Sequence, residues 1–134
     1  MALRISLKDG EKMIVNGAVL RSVGRTDLSI ENNAAILRGR DLMIPEEANT
    51  PARRLYFATM MAYVDQGDLT AHQDKIVRLI SELMDALQAP EAKSVCIAYA
   101  QKVAMGQFYK ALGECRWLIN YEAEALQRAQ PEAV

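Results

Sequence analysis

Between residues 37 and 68 the spacing of apolar residues changes period, from about every second position before the stretch to helical spacing after it. A pattern written for one period buries the wrong side chains in the other. The change therefore divides the chain into a strand-rich first part and a helical second part that meet at a seam, LRGRDLMIPEEANTPARRLYFATMMAYVDQGD. Within the seam, Thr50 followed by Pro51 reads as an N-cap and a first-turn proline, so a helix begins there. The next polar residues are Arg53 and Arg54, cations at the positive end of the helix dipole, at a cost of about 0.3–1 kcal/mol each when exposed. A local rule broken without local gain points to a tertiary partner or a functional surface. Two readings are open. The arginines pair with Glu46 and Glu47 or with an acidic patch across the seam, as surface ions do cheaply, or they face a phosphate backbone or an acidic protein. Leu55, Phe57, Ala58, Met60, Met61, Ala62 and Val64 leave this helix little polar face, which predicts burial on more than one side.

Upstream, Leu3, Ile5 and Leu7 alternate with polar residues as in a half-buried strand. Asp9-Gly10 and the hairpin dipeptide Asn16-Gly17 then separate runs at 11–15 and 18–22, predicting a three-stranded meander over residues 2–22. Further runs at 27–31, 35–38 and 42–44 bring the total to five or six short strands in one small sheet. Its apolar face, Leu3, Ile5, Leu7, Met13 and Val15, exceeds what one helix covers, and the Leu3–Leu7 edge carries no proline. A homo-oligomer with two-fold symmetry, built through the strand half, is the expectation.

Downstream, Gln66-Gly67-Asp68 ends the seam helix and Thr70 with Gln73 reads as a capping box. Ile76, Ile80, Leu83 and Leu87, joined by Val77, Leu79 and Met84, form the core stripe of the next helix. His72 falls in its first turn and is expected to be exposed. Ala89-Pro90 starts another helix, and a break near Gly106 divides the rest into helices of about 91–105 and 107–128. The expected fold class is α+β: an antiparallel β unit over 1–49, packed on a helical unit of three or four helices over 50–128, with a frayed tail at 129–134.

At 134 residues, 51% hydrophobic and 25% charged, the chain has the composition of a globular protein able to bury its own core. Cys96 and Cys115 lack CxxC spacing and clustered histidines, and read as buried thiols. No glycine motif cradles a phosphate, and His72 has no nucleophile or carboxylate partner in its sequence context. An enzyme is not expected, nor a cofactor or metal. There is no apolar run of about 18 residues and no charged-then-apolar leader, so the expectation is a cytoplasmic protein without membrane contact.

A net charge of −1 and a pI near 5.9 argue against a general nucleic-acid binder. The distribution is uneven: residues 1–54 hold nine Lys and Arg against seven Asp and Glu, and residues 55–134 hold seven against ten. An anionic ligand would therefore meet the first half or the seam. Residues 1–55 contain no Phe, Tyr or Trp, so that half offers no stacking platform for single-stranded RNA. The residues alone leave an α+β interaction or binding module whose partner class is open.

The segments RISLKDGEKMIVNGAVLR, LRGRDLMIPEEANTPARRLYFATMMAY and CRWLINYEAEAL resemble the FlbT family, regulators of flagellin production in alphaproteobacteria. The resemblance runs from about Leu3 to Leu126, and TPARRLYFATMMAY is its most specific piece. It implies a flagellum-biosynthesis repressor that associates with the 5′ untranslated region of flagellin mRNA, promotes its degradation, and carries no cofactor. On that reading Arg38, Arg40, Arg53 and Arg54 are phosphate or base contacts, with Arg21 and Arg25 as outer ones. The alternative is a protein-binding adaptor or chaperone-like module for flagellin or another flagellar regulator, with the RNA effect indirect. More faintly, Gly10-Glu11 leading into an apolar hairpin is similar to CsrA-type translational regulators, small strand-swapped RNA-binding dimers, over less than a third of the chain.

Overall fold

The structure, a computed structural model, describes residues 2–65 and 67–129. Five strands, β1 (Leu3–Leu7), β2 (Lys12–Val15), β3 (Ala18–Arg21), β4 (Thr26–Ile30) and β5 (Ile36–Arg38), precede four helices, α1 (Pro51–Val64), α2 (Leu69–Ala86), α3 (Pro90–Ala104) and α4 (Phe108–Ala129). This is the α+β arrangement expected from the change of period. Two short 3-10 turns, Gly39–Asp41 and Pro45–Glu47, flank residues 42–44, which form no strand where the sequence suggests a sixth. Of the tail expected to fray at 129–134, Ala129 is the last residue of α4 and 130–134 lie outside the described residues, as does Gln66.

The strands form two sheets rather than one: β1 pairs with β4, and β2 lies between β3 and β5, all antiparallel. The Asn16-Gly17 hairpin is present, with Asn16 at φ 50° and Gly17 at φ 87°. The meander over 2–22 is not, because the chain changes sheet at Asp9-Gly10. That corner is clamped to the β3–β4 corner: the Asp9 carboxylate accepts the Gly24 N–H at 2.8 Å and the Gly10 N–H reaches the Ser22 carbonyl at 2.8 Å. β1 thus finds its partner, β4, within the chain.

Alternation along β2 and β5 explains the layering. Met13, Val15 and Ile36 point one way and pack with Ile5, Leu7, Leu28 and Ile30 of the other sheet. Ile14 and Leu37, cross-strand neighbours, point the other way into the helical core. The three-stranded sheet is therefore a middle layer between a two-stranded sheet and the helices. Of the apolar face read as needing helices or a second subunit, Ile5, Leu7 and Met13, at most 3% exposed, are covered by sheet-on-sheet packing, while Leu3 stays 52% exposed.

Helix α1 is the centre of the helical core, packed against both α2 and α4, and eight of its residues are buried, Tyr56 and Thr59 among them. Thr50 caps it, accepting the Arg53 N–H at 3.3 Å. α2 is capped by Asp68, whose carboxylate accepts the Ala71 N–H at 3.1 Å, and not by Thr70. Its buried stripe is Ile76, Ile80 and Leu83; Val77, assigned to that stripe by periodicity, is 60% exposed. His72 is half-buried rather than exposed and meets Asp65 at 2.9 Å, tying the start of α2 to the end of α1. α3 begins at Pro90, and Gly106, at φ 74°, separates it from α4 as the glycine spacing predicts. Cys96 and Cys115 are free and fully buried. No described helix is long and apolar enough to cross a membrane.

Candidate nucleic-acid interface

Strand β5 ends in the tetrad Arg38-Gly39-Arg40-Asp41. Gly39, at φ 60°, takes the left-handed conformation that a side chain would resist, and turns the backbone so that both flanking arginines are exposed. Asp41 holds the turn down. Its carboxylate accepts from the Arg116 guanidinium and from the Tyr109 hydroxyl at 3.0 Å. Its backbone carbonyl accepts the Tyr56 hydroxyl at 2.8 Å. Arg116 also donates to the Tyr56 oxygen at 3.3 Å and lies over the Tyr56 ring, 5.7 Å from its centroid. Two helices, α1 through Tyr56 and α4 through Tyr109 and Arg116, thus fix one turn.

The electrostatics are consistent with a pinning role. Burial pushes the Tyr56 phenol above its usual range, opposed by the Arg116 charge. The hydrogen bond to the Asp41 carboxylate pushes Tyr109 up, with burial second. Both phenols stay neutral donors, and the Asp41 charge is met by Arg116. Arg38 and Arg40 take part in no ion pair among the described residues.

One helical turn before Tyr56 stands Arg53, half-buried, with exposed Arg54 beside it. Among the described residues neither forms an ion pair, with Glu46, Glu47 or any other carboxylate. Glu47 instead accepts the Ile44 N–H at 3.0 Å within its own turn. The carboxylate that the first turn of α1 lacks in sequence comes from across the fold: Glu122 of α4 accepts the Ala52 N–H at 3.0 Å. The tertiary partner anticipated from the broken dipole rule is thus Glu122, acting on the helix end itself. Through the Tyr56–Asp41 bond the Arg38–Arg40 turn sits against α1, a turn from Arg53. The outer pair is placed elsewhere. Arg21 is on β3, across the sheet from β5, and on the opposite face from Arg38, because Arg21 shares its face with Ile14 and Arg38 shares its face with Met13. Arg25 lines a shallow groove with Arg4, Ser6 and Asp27 on the two-stranded sheet.

Sequence reading found the arginines and missed Asp41, Tyr56, Tyr109, Arg116 and Glu122. The signal for Asp41 was present in the RGRD tetrad; its partners, up to 75 residues away, gave none. Both cysteines are sealed in the core. Thr59, Tyr99 and Cys115 form a buried hydrogen-bonded cluster, in which burial pushes the Cys115 thiol up to about 12. No group of three or more His, Cys, Asp or Glu suited to a metal occurs among the described residues.

The chain is thus a small α+β protein with an arginine-bearing turn braced on a helical core. The family described as Flagellar protein FlbT matches residues 3–126, and the chain belongs to that family. It is 39% identical over 127 residues to the probable flagellum biosynthesis repressor protein FlbT of Caulobacter sp. (strain K31), covering 94% of this chain and 97% of the relative. It is equally identical, over 94% of this chain and 90% of the relative, to the flagellum biosynthesis repressor protein FlbT of Caulobacter vibrioides (strain ATCC 19089 / CIP 103742 / CB 15). The probable FlbT repressor of Rhodopseudomonas palustris (strain TIE-1) is 38% identical over 96% of this chain and its own full length. No solved structure matches the chain.

Proposed function

We propose that this protein is a repressor of flagellum biosynthesis acting after transcription, by associating with the 5′ untranslated region of flagellin mRNA and promoting its degradation. The repressor role rests on the relatives' names. The RNA reading is supported by one observation above the others: two exposed arginines, in no ion pair among the described residues, flank a glycine turn that three hydrogen bonds brace on the helical core. A guanidinium presented on a rigid turn loses little conformational freedom on meeting a phosphate, and its planar fork matches the oxygens. Arg38 and Arg40 are the primary contacts. Arg53, one helical turn from Tyr56, and its neighbour in sequence Arg54, on another face of α1, are secondary ones. Arg21 and Arg25 face other surfaces and are at most peripheral.

Purified protein titrated with labelled flagellin leader RNA is the test. Binding weakens steeply with salt, because each neutralised phosphate releases counterions. Arg38→Glu with Arg40→Glu abolishes binding while leaving the melting temperature unchanged, since both side chains are exposed. Asp41→Ala, which frees the turn but keeps both arginines, weakens binding by less. A flat salt response, or full binding by the double glutamate variant, refutes the assignment. The adaptor reading draws on Val77, 60% exposed, and Ile97, 51% exposed, on the outer faces of α2 and α3. Partners recovered from a nuclease-treated lysate in undiminished amount would favour it.

A further inference from the structure

Strand β3 is an edge without protection. Its outer side has no backbone partner among the described residues, all four of its residues are exposed, and Val19 and Leu20 are 65% and 42% so. It has no proline or bulge, and its one charge, Arg21, stands at its end. In the β2–β3 ladder Val19 lies opposite Ile14 and Arg21 opposite Lys12, so both share the face toward the helices, while Ala18 and Leu20 share the other. On the helix side Val19 borders a groove of about 1010 Å³ whose apolar walls include Ile14, Ala35, Met61, Tyr63 and Val64. The groove is closed at the hairpin end, where a Cβ on Gly17 would stand 3.2 Å from the Val64 carbonyl, and the Asp65 carboxylate forms its rim.

We propose that this edge is a dimerisation strand: β3 pairs antiparallel with β3 of a second copy about a two-fold axis through Val19, joining two three-stranded sheets into one. In an antiparallel pair directly opposed residues share a face, so a two-fold axis normal to the sheet must pass through a residue rather than between two. Centred on Val19, the pairing sets Gly17 opposite Arg21 of the second copy. That arginine points to the helix side and arrives where Gly17, Val64 and Asp65 meet, so each dimer gains two reciprocal Arg21–Asp65 pairs. The two Val19 side chains meet over the grooves, and each Leu20 lies beside Ala18 of the other copy. Centred on Leu20, the pairing would set Val23 against Gly17 and bring no arginine to Asp65, whose side chain, though it meets His72 within the chain, is 51% exposed. Charge complementarity therefore selects the first register. The interface expected from sequence at β1 moves to β3, and Arg21 becomes an assembly residue rather than an outer RNA contact.

Sedimentation velocity over a micromolar concentration series tests this. The expected mass at high concentration is twice 14.9 kDa. Arg21→Glu and Asp65→Lys each raise the dimer dissociation constant at least about tenfold, and the combined charge swap recovers most of the loss. Val19→Lys, which alters only an exposed side chain, gives a monomer with unchanged circular dichroism. If Asp65→Lys disturbs the α1–α2 turn, Asp65→Asn replaces it, with the same direction expected. A monomeric parent at tens of micromolar, or a dimer indifferent to Arg21→Glu and Val19→Lys, overturns the proposal.

Discussion

Replacing Thr59 by valine keeps the shape of a side chain that is 0% exposed and removes a hydroxyl with three hydrogen-bond partners, Leu55, Tyr99 and, at 3.8 Å, the Cys115 thiol. Thr59 Oγ1 donates to the Leu55 carbonyl at 2.7 Å and, its one proton spent, accepts the Tyr99 hydroxyl at 2.6 Å. Tyr99 is also 0% exposed, and Thr59 is its only side-chain hydrogen-bond partner among the described residues. Thr59→Val therefore leaves a buried phenol donor unmet, at a cost of about 2–3 kcal/mol. Tyr99→Phe removes the stranded group, while Thr59 keeps its bond to Leu55, and costs about 0.5–1.5 kcal/mol. The double variant joins two apolar surfaces and should be more stable than Thr59→Val alone, with a coupling of at least about 1 kcal/mol. Urea unfolding followed by circular dichroism measures all four proteins at one m-value. Strict additivity, or a Thr59→Val cost below about 0.5 kcal/mol, would refute the assignment of Tyr99 as the dependent donor.

The same cluster sets an alkaline limit: burial holds Tyr99 and Cys115 above their ordinary ranges, so their contribution is intact below about pH 9 and falls as pH rises toward the Cys115 value of about 12. Stability measured from pH 8 to 11 should decline, and the decline should be shallower in Tyr99→Phe. Two glycine substitutions should have opposite signs. Gly17→Ala, at φ 87° and against the Val64 carbonyl, lowers stability by about 1–2 kcal/mol, whereas Gly113→Ala, within α4 with open space around it, raises it by about 0.5–1 kcal/mol in the same assay. Glu122→Ala strips the remote carboxylate from the start of α1 and should cost about 1 kcal/mol, with faster amide exchange at Ala52.

What the sequence announced was local chemistry. Asn16-Gly17, Thr50-Pro51, Ala89-Pro90 and Gly106 each fix a backbone conformation through their own side chains or lack of them, and each stands where expected. What it concealed was pairing at a distance. Asp9-Gly10 reads as a hairpin turn, but the Asp9 carboxylate is committed to Gly24 fifteen residues on, and that contact sends β2 into another sheet. Val77 fits the helical period of a wide stripe, yet α2 packs mainly on one helix, α1, and a narrow contact leaves it in water. At the arginine turn the cations were visible because charge is read directly, while their brace joins residues 15, 68 and 75 positions apart. Arg53 and Arg54 stood out for breaking the dipole rule, and the rule was restored from α4, at a separation no local pattern carries.

Strand β2 is four residues long and serves two hydrophobic interiors, Met13 in one and Ile14 in the other. A slip of one residue would exchange the two side chains and spoil both interiors at once, so an error in register has no cheap half-measure. The strand half is then no detachable arm. A cut after residue 49 would strip Ile14 and Leu37 of the helices they pack on, and would uncover the opposing surface of α1. Unfolding should accordingly proceed as one event, with the β2 amides exchanging as slowly as those in the middle of α1.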